Sequence, residues 1–415
     1  MNLKFLNTSK VNKSNFAAVM LLNFGALSWF FIFNSYMGDF FVTLNLNTTQ
    51  YANYVGNSLL YGFAIFWSIA ISFVGSRINR RKLLLASTIL GIFSTVLLAF
   101  VEGPIFTSIV SSVMGMSLGL FLPSSMALVA DNTIVENRGR ASGIIILGTF
   151  IIAFTSMAIF RMMELDLLSL ILILAAVRSI SLLGLVIRKI GVPLTIAEKK
   201  IRLHATAYRE FLFYVTPFLI FTIASSLAKS LIAAAHLESE LYFGESLRFP
   251  LIALFGAASG FISDRFGRKQ PIIFGLAALG VGFLLLGFNI TGINAHIYVD
   301  IYWALSGITW GLFFVVFLAV PGDLSTPILR EKFYALGYIL PITGLLALST
   351  IPVINIAEVL PIELVAQILG IFLFLAMFPV FRAKETLTES KRQEIRMREY
   401  AERLGKEIQE SEENE

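Results

Sequence analysis

Twelve stretches of this chain are apolar for about twenty residues at a time, and that repetition leaves few folds open to it. Crossing the hydrocarbon of a bilayer takes about 20 consecutive apolar residues as a helix, but only about 10 of alternating polarity as a barrel strand. The runs here are continuous, so they read as helices whose backbone groups pair within each segment. The first six cover Asn15 to Tyr36, Tyr51 to Val74, Leu83 to Val101, Pro104 to Ala130, Ala141 to Phe160 and Leu167 to Ile187. After a gap come Phe211 to Ala235, Phe243 to Ile262, Pro271 to Ile290, Ile297 to Val320, Phe333 to Ile351 and Leu360 to Phe381. Composition agrees: 57% of residues are hydrophobic and 14% charged, with a mean hydropathy of +0.80. A soluble domain carries roughly 25% charged residues. The expected fold class is an all-α membrane protein with twelve transmembrane helices.

The opening segment, MNLKFLNTSKVNKSNFAAVM, has the basic-then-apolar order of a signal peptide. No small-residue cleavage site closes it and eleven further runs follow, so it reads as a retained first helix. Cysteine is absent, which removes disulfides and thiolate metal sites, and His204, His236 and His296 are too scattered to suggest a metal centre. Lys and Arg concentrate in cytoplasmic loops near helix ends. Placing the N-terminus inside puts all of the 32 basic residues on that side except Arg161, Arg178, Lys229 and Arg248. Both termini are therefore expected in the cytoplasm.

Two of the gaps between runs resemble each other. GFISDRFGRK, Gly260 to Lys269, aligns with SFVGSRINRR, Ser72 to Arg81, so that Ser76 falls on Asp264, Arg77 on Arg265, Asn79 on Gly267, Arg80 on Arg268 and Arg81 on Lys269. Two helices later, Asp131 and Asp323 each precede a basic turn that opens the next helix, in LVADNTIVENRGRASG and AVPGDLSTPILREKFYALG. The chain thus divides into an N-terminal six-helix bundle over 1–187, a cytoplasmic linker over 188–210, a C-terminal six-helix bundle over 211–381 and a charged tail over 382–415. In the tail, Met397, Tyr400, Leu404 and Ile408 recur at helical spacing among i, i+4 ion pairs, which predicts a cytoplasmic helix. Parallel repeats of this kind place a binding site near the midplane between halves.

The pattern G-x-x-x-D-R-x-G-R-K, met at every fixed position by Gly260 to Lys269, resembles the loop signature of the major facilitator superfamily. With the twelve spans and the half repeat, the resemblance covers about Asn15 to Phe381 and points to no subfamily. It implies alternating access, in which two bundles rock about a central cavity and the signature loops hold the cytoplasmic side shut. An acidic group also favours a helix N-terminus on electrostatic grounds. The geometry implied by the family sets Asp264 against the start of the fifth helix, near Arg138 to Ser142. Arg265, Arg268 and Lys269 are then expected to reach Asp323 in their own half or Glu136 across the interface, while Gly260 and Gly267 permit close packing and the turn. A loop charged only to set topology is the alternative. In the first half Ser76 carries no charge and Asn79 replaces glycine, so the latch onto the eleventh helix is expected to be the weaker one, with Arg77, Arg80 and Arg81 pairing with Asp131.

The resemblance also turns helices one, four, seven and ten toward the cavity. On the seventh, Thr222, Ser225 and Ser226 form a polar face ending in Lys229. On the tenth, Trp303, Gly307, Trp310 and Phe314 share a face; on the first, Asn23, Phe30 and Asn34 do. The fourth carries Ser111, Gly115, Gly119 and Pro123, a ridge of small residues suited to close helix contact. A cation within the hydrocarbon costs about 2.5 to 3.5 kcal/mol on insertion scales unless paired or wetted. Lys229 and Arg248, in the outer halves of their spans, therefore point to a site for an anionic solute. Pairing with Glu238, Glu240, Glu245 or Asp300 is the alternative. Arg178, mid-span on the sixth helix, reads as structural, bonded to carbonyls or snorkelling. Asp39, Glu245 and Asp300 are the acids open to proton or ion coupling, and all are shallow.

The expected function is secondary transport of a small organic, anionic solute. A drug or metabolite exporter of the same fold, or a transporter-like sensor without net flux, shares these features. The fifth helix lacks the glycine-proline signature of drug and proton antiporters, which lowers the first of these. An enzyme is not expected, because no His, Cys or carboxylate cluster gathers at one membrane face; nor is ATP drive, because no Gly-rich phosphate loop is present. No cofactor, metal or nucleic acid is implied. The expected partners are the solute and the bilayer, and the chain is expected to work as a monomer in the plasma membrane.

Overall fold

The computed structural model describes residues 13–43, 49–74, 78–100, 103–187, 205–235, 241–292, 295–337 and 360–388, with isolated positions 339, 341, 393 and 397. Every regular element among them is helical. The first half holds α1 (Lys13–Thr43), α2 (Thr49–Val74), α3 (Arg80–Leu97), α4 (Gly103–Asp131), α5 (Val135–Met162) and α6 (Leu167–Ile187). The second holds α7 (Ala205–Ala234), α8 (Leu241–Phe266), α9 (Lys269–Asn289), α10 (Ala295–Leu324), α11 over 330–337 and α12 (Ile362–Leu375), which breaks at Ala376 and continues as Met377–Arg382. Eleven described helices are long and apolar enough to cross a membrane. The chain is a multi-pass membrane protein. The expected eleventh span, Phe333 to Ile351, lies largely outside the described residues.

Helix ends depart from the apolar runs because a helix continues wherever its backbone is satisfied, past the hydrocarbon as well as within it. Thus α5 starts at Val135 rather than Ala141, with Glu136 in its first turn where the helix dipole favours an acid. Likewise α7 starts at Ala205, inside the expected linker 188–210. The expected tail helix does not begin at Arg382. Residues 383–388 are not helical, because their backbone groups are already bonded elsewhere. The Lys384 N–H donates to Glu210 at 2.7 Å, its carbonyl accepts from the Tyr214 hydroxyl at 2.8 Å, and the amides of Thr386 and Leu387 donate to the Glu385 carboxylate. Most of the tail beyond 388 lies outside the described residues.

Buried side chains form two main cores. One draws Leu22, Trp29, Leu60, Phe121 and Leu174 from the first half; the other draws Phe221, Leu279, Phe283, Phe313 and Leu373 from the second. The first core also takes in Phe249 and Ile252 of α8 and Val315 of α10, so the halves are packed on each other. Glycines allow the closest approaches. A side chain at Gly119 on α4 would bring its Cβ to 2.9 Å from that of Trp67 on α2, and the Ser68 hydroxyl donates to the Gly119 carbonyl at 3.2 Å. The small-residue ridge on α4 thus seats α2.

Candidate functional site

The polar geometry is densest where α8 and α10 end and α5 begins. Both oxygens of Asp264 are used: the amides of Gly139 and Arg140 donate to them at 2.9 Å each, Arg140 Nε at 3.1 Å and Arg268 Nη1 at 2.8 Å. A carboxylate can enter there because a Cβ on Gly260 would lie 2.8 Å from the Gly139 carbonyl oxygen. Arg268 also donates to Asp323 at 2.9 Å and to the Val135 carbonyl at 2.7 Å. Burial alone would lower the pKa of this guanidinium, but the Asp323 and Asp264 carboxylates beside it hold it above the ordinary arginine range. Asp323 in turn accepts from Arg138 of α5 and, at 3.1 Å, from the Thr386 hydroxyl. Arg138 is fixed from behind by the Thr133 hydroxyl and by the carbonyls of Ala130 and Thr133, each at 3.2 Å.

The first half repeats this arrangement with one substitution. Asp131 accepts from Arg80 at 2.5 Å and from Arg330. Arg138 follows Asp131 by seven residues, as Arg330 follows Asp323. Each aspartate therefore holds the loop arginine of its own half and the arginine that opens the next helix of the other half. The position aligned with Asp264 is Ser76, and the missing charge is made good across the interface: Glu331 of α11 accepts from Arg80 Nε at 2.7 Å. Glu331 thus brings a second carboxylate from the opposite half, a partner that the aligned loops do not disclose.

Other expected gate residues have different partners. Arg265 is exposed, with its guanidinium over the Phe266 ring at 5.3 Å. Lys269 donates to the Phe381 and Ala383 carbonyls at 2.9 Å each, and Arg81 to the Leu185 carbonyl at 3.4 Å. Glu136 accepts from the Thr388 hydroxyl at 3.0 Å, and among the described residues it has no basic partner, Arg268 being committed to Asp264 and Asp323. Arg77 lies outside the described residues. Sequence reasoning missed Glu385, whose carboxylate accepts the amides of Arg268 at 2.8 Å and Lys269 at 3.3 Å. It rests against Gly267, whose φ of +103° a side chain rarely adopts.

Within the membrane, the polar face of α7 divides. Thr222 and Ser226 donate to the carbonyls one turn back, Phe218 at 2.7 Å and Thr222 at 2.8 Å. By contrast the hydroxyls of Ser225 and Ser306 turn to that of Tyr302 across α7 and α10, and the indole nitrogens of Trp303 and Trp310 are buried atoms without a hydrogen-bond partner among the described residues. Arg248 approaches this group, its guanidinium 5.3 Å from the Trp303 ring and 5.6 Å from Phe249. Asn23 donates to the Val19 carbonyl at 2.9 Å, and Asn34 accepts from the Tyr61 hydroxyl at 2.6 Å. Asp300 lies near the start of α10. The side chains of Lys229, Asp39 and Glu245 lie outside the described residues. Arg178 is fully buried between Phe121, at 4.5 Å, and Trp29, at 5.3 Å, and donates to the Ser117 hydroxyl at 3.2 Å rather than to a carbonyl. Among the described residues no three His, Asp or Glu side chains gather as a metal ion requires.

Superposed on solved structures, the chain matches the human organic anion transporter MFSD10 (TETRAN) with a TM-score of 0.65 at 14% identity, over 89% of this chain and 99% of that one. It matches the proton:xylose symporter XylE, bound to 6-bromo-6-deoxy-D-glucose, with a TM-score of 0.67 at 15% identity, over 91% and 97%. The chain has the major facilitator fold. No protein-family model and no curated protein matches its sequence. The major facilitator fold puts the two loop arginines, Arg80 and Arg268, in corresponding places of its two halves, where each meets an aspartate at the end of the fourth helix of its half.

Proposed function

We propose that this chain is a secondary transporter that moves a small organic anion across the cell membrane by alternating access, as a monomer built from two six-helix bundles over 1–187 and 211–381. Asp131 and Asp323 form the centre of its cytoplasmic gate, with both termini on the cytoplasmic side. The observation that carries this reading is the reciprocal lattice of Arg80, Arg138, Arg268 and Arg330 around those two aspartates. Hydrogen bonds to charged groups contribute about 1.5 to 3 kcal/mol each. A few of them, partly dry, are enough to favour closure and few enough for a ligand to reverse. That this lattice sits on the face where the basic residues gather supports the cytoplasmic assignment.

The solute site lies at Arg248 and the buried Ser225, Tyr302 and Ser306 hydroxyls, with Lys229 one turn beyond Ser225 on α7. A guanidinium beside hydroxyls that can turn to a ligand recognises an anion. One structural neighbour is an organic anion transporter and the other a proton:xylose symporter, so fold alone does not choose the cargo. Asp39, Glu245 and Asp300 are the acids through which a proton could be coupled. The test is uptake of a panel of organic anions into proteoliposomes, with and without an imposed pH gradient. Saturable uptake that Asp323→Asn slows is expected. Binding without any flux, in a preparation whose lattice is intact, makes the chain a sensor and overturns the transport reading.

A further inference from the structure

Aromatic rings from both halves meet along the seam between them. Phe31 of α1 lies 4.5 Å from Phe150 of α5 and 5.1 Å from Phe314 of α10, and Phe150 lies 5.7 Å from Phe249 of α8. On the second half the surface continues through Trp310, 4.8 Å from Phe314 and 4.5 Å from Phe221 of α7. Phe31, Trp310 and Phe314 sit near the middle of their helices yet are only partly buried. Trp310 carries an indole N–H without a partner among the described residues. Seven residues before it on the same face, about 10 Å along the helix, Trp303 lies under the Arg248 guanidinium.

We infer that the transported anion is amphipathic, with a flat apolar body of one or two rings lying on the partly exposed Phe31, Trp310 and Phe314 rings and an anionic head directed to Arg248. The inference rests on the anion-transport reading above and adds the body to the head. When the halves part, the rings that touch across the seam lose their partners. A flat apolar solute replaces those contacts by stacking or edge-on packing, whereas a small polar anion leaves the rings wet. A polyol is equally ill-suited, because the seam rings offer it one indole N–H and no amide. Arginine has five donors, so Arg248 can serve a carboxylate while keeping its present neighbours.

The experiment uses the full-length protein in detergent and in proteoliposomes, with 2-naphthoate, 2-naphthol, succinate and xylose as probes, read by thermal shift and by quenching of tryptophan fluorescence. Saturable binding of 2-naphthoate is expected, weaker binding of 2-naphthol and none of succinate. Trp310→Ala should weaken 2-naphthoate by about 10-fold and Trp310→Phe recover most of that loss. Arg248→Gln should abolish the preference for the carboxylate over the alcohol. Succinate binding without 2-naphthoate overturns the apolar body while anion transport stands. Equal binding of the two naphthalenes overturns the anionic head, and xylose alone overturns both readings. Failure of both naphthalene probes in a protein that melts cooperatively also overturns the inference.

Discussion

Glu331, at the start of α11, gives Arg80 the carboxylate that the loop of Arg80 does not carry, at 2.7 Å from Nε. The equivalent arginine of the second half, Arg268, divides its donors between Asp323 and Asp264, both in its own half. Arg80 divides them between Asp131 of its own half and Glu331 of the other. Arg268 thus joins two carboxylates of one half and reaches the other half through the Val135 carbonyl, whereas Arg80 joins a carboxylate from each half. Both side chains are largely shielded, at 15% and 6% exposure, so the pair is stronger than a surface one.

Removing that bridge should open the gate. Glu331→Gln is expected to cost about 1 to 2 kcal/mol of closure, raising the open population by about 5- to 30-fold. Spin labels at cysteines introduced on Lys82 and Leu336, in a chain with no cysteine of its own, report the separation. Ser76→Asp in the Glu331→Gln background should return the distribution toward the closed one. A distance distribution insensitive to Glu331→Gln would remove Glu331 from the gate.

What the sequence disclosed, and what it hid, follows from the range of the interactions. Charges stranded between apolar runs cannot be misread, so the two loops and the half repeat were legible, and so were Asp131 and Asp323 ahead of their basic turns. Partner choice was not. Arg265 and Arg268 look alike in the signature, but the second, beyond the end of α8, is buried and pairs with Asp264 and Asp323, whereas the first is exposed. Glu385 was hidden because it is one acid in a tail rich in both charges, and its role depends on folding back onto Gly267. The periodic polar face of α7 was visible, yet periodicity does not say that Thr222 and Ser226 spend their hydroxyl protons on their own helix while Ser225 does not.

Gly139→Ala should damage the gate by volume rather than charge. The added methyl would stand 2.5 Å from Arg268 Nη1 and 2.9 Å from the Gly260 carbonyl oxygen, so α5 and α8 must part or Arg268 must leave Asp264. A loss of about 1 to 3 kcal/mol is expected, as for other overpacked sites. Gly62→Ala, whose methyl meets nothing within 4 Å, serves as the control and should leave the melting temperature unchanged. Equal melting of the two variants would mean that the closeness of α5 and α8 is not needed for stability.

The gate should be insensitive to alkali as far as Arg268 is concerned. Its pKa is raised in the folded state, so the stability it contributes is fully present below the unfolded value and is lost only as pH rises past the folded one. The closed population should therefore stay level from about pH 7 to pH 10, below the titration of arginine. Arg268→Lys should lower it at every pH, because one ammonium cannot serve Asp264, Asp323 and the Val135 carbonyl together. The variant should fall further toward about pH 10, where a lysine begins to lose its proton. Label distances measured against pH separate the cases, and a wild-type gate that opens over that range would contradict the assignment.

Arg178 presents the opposite problem, a buried cation that pairs with no acid among the described residues. Of the acidic residues between Lys13 and Ile187 whose side chains are described, Asp131, Glu136, Glu164 and Asp166 all lie at or beside helix ends. Its charge is met by the faces of Phe121 and Trp29 and by the Ser117 hydroxyl, while Nε and Nη1 have no hydrogen-bond partner among the described residues. Arg178→Met keeps an unbranched side chain between the two rings, adds sulfur–aromatic contacts and removes the desolvated charge. Replacing buried charge by well-packed apolar groups is often neutral or stabilising, so the melting temperature should hold or rise. Arg178→Ala should instead lose about 2 to 5 kcal/mol by leaving a cavity under Trp29. Were methionine to melt as early as alanine, the charge itself would be required, and a compensating anion or water at Nη1 would have to be sought.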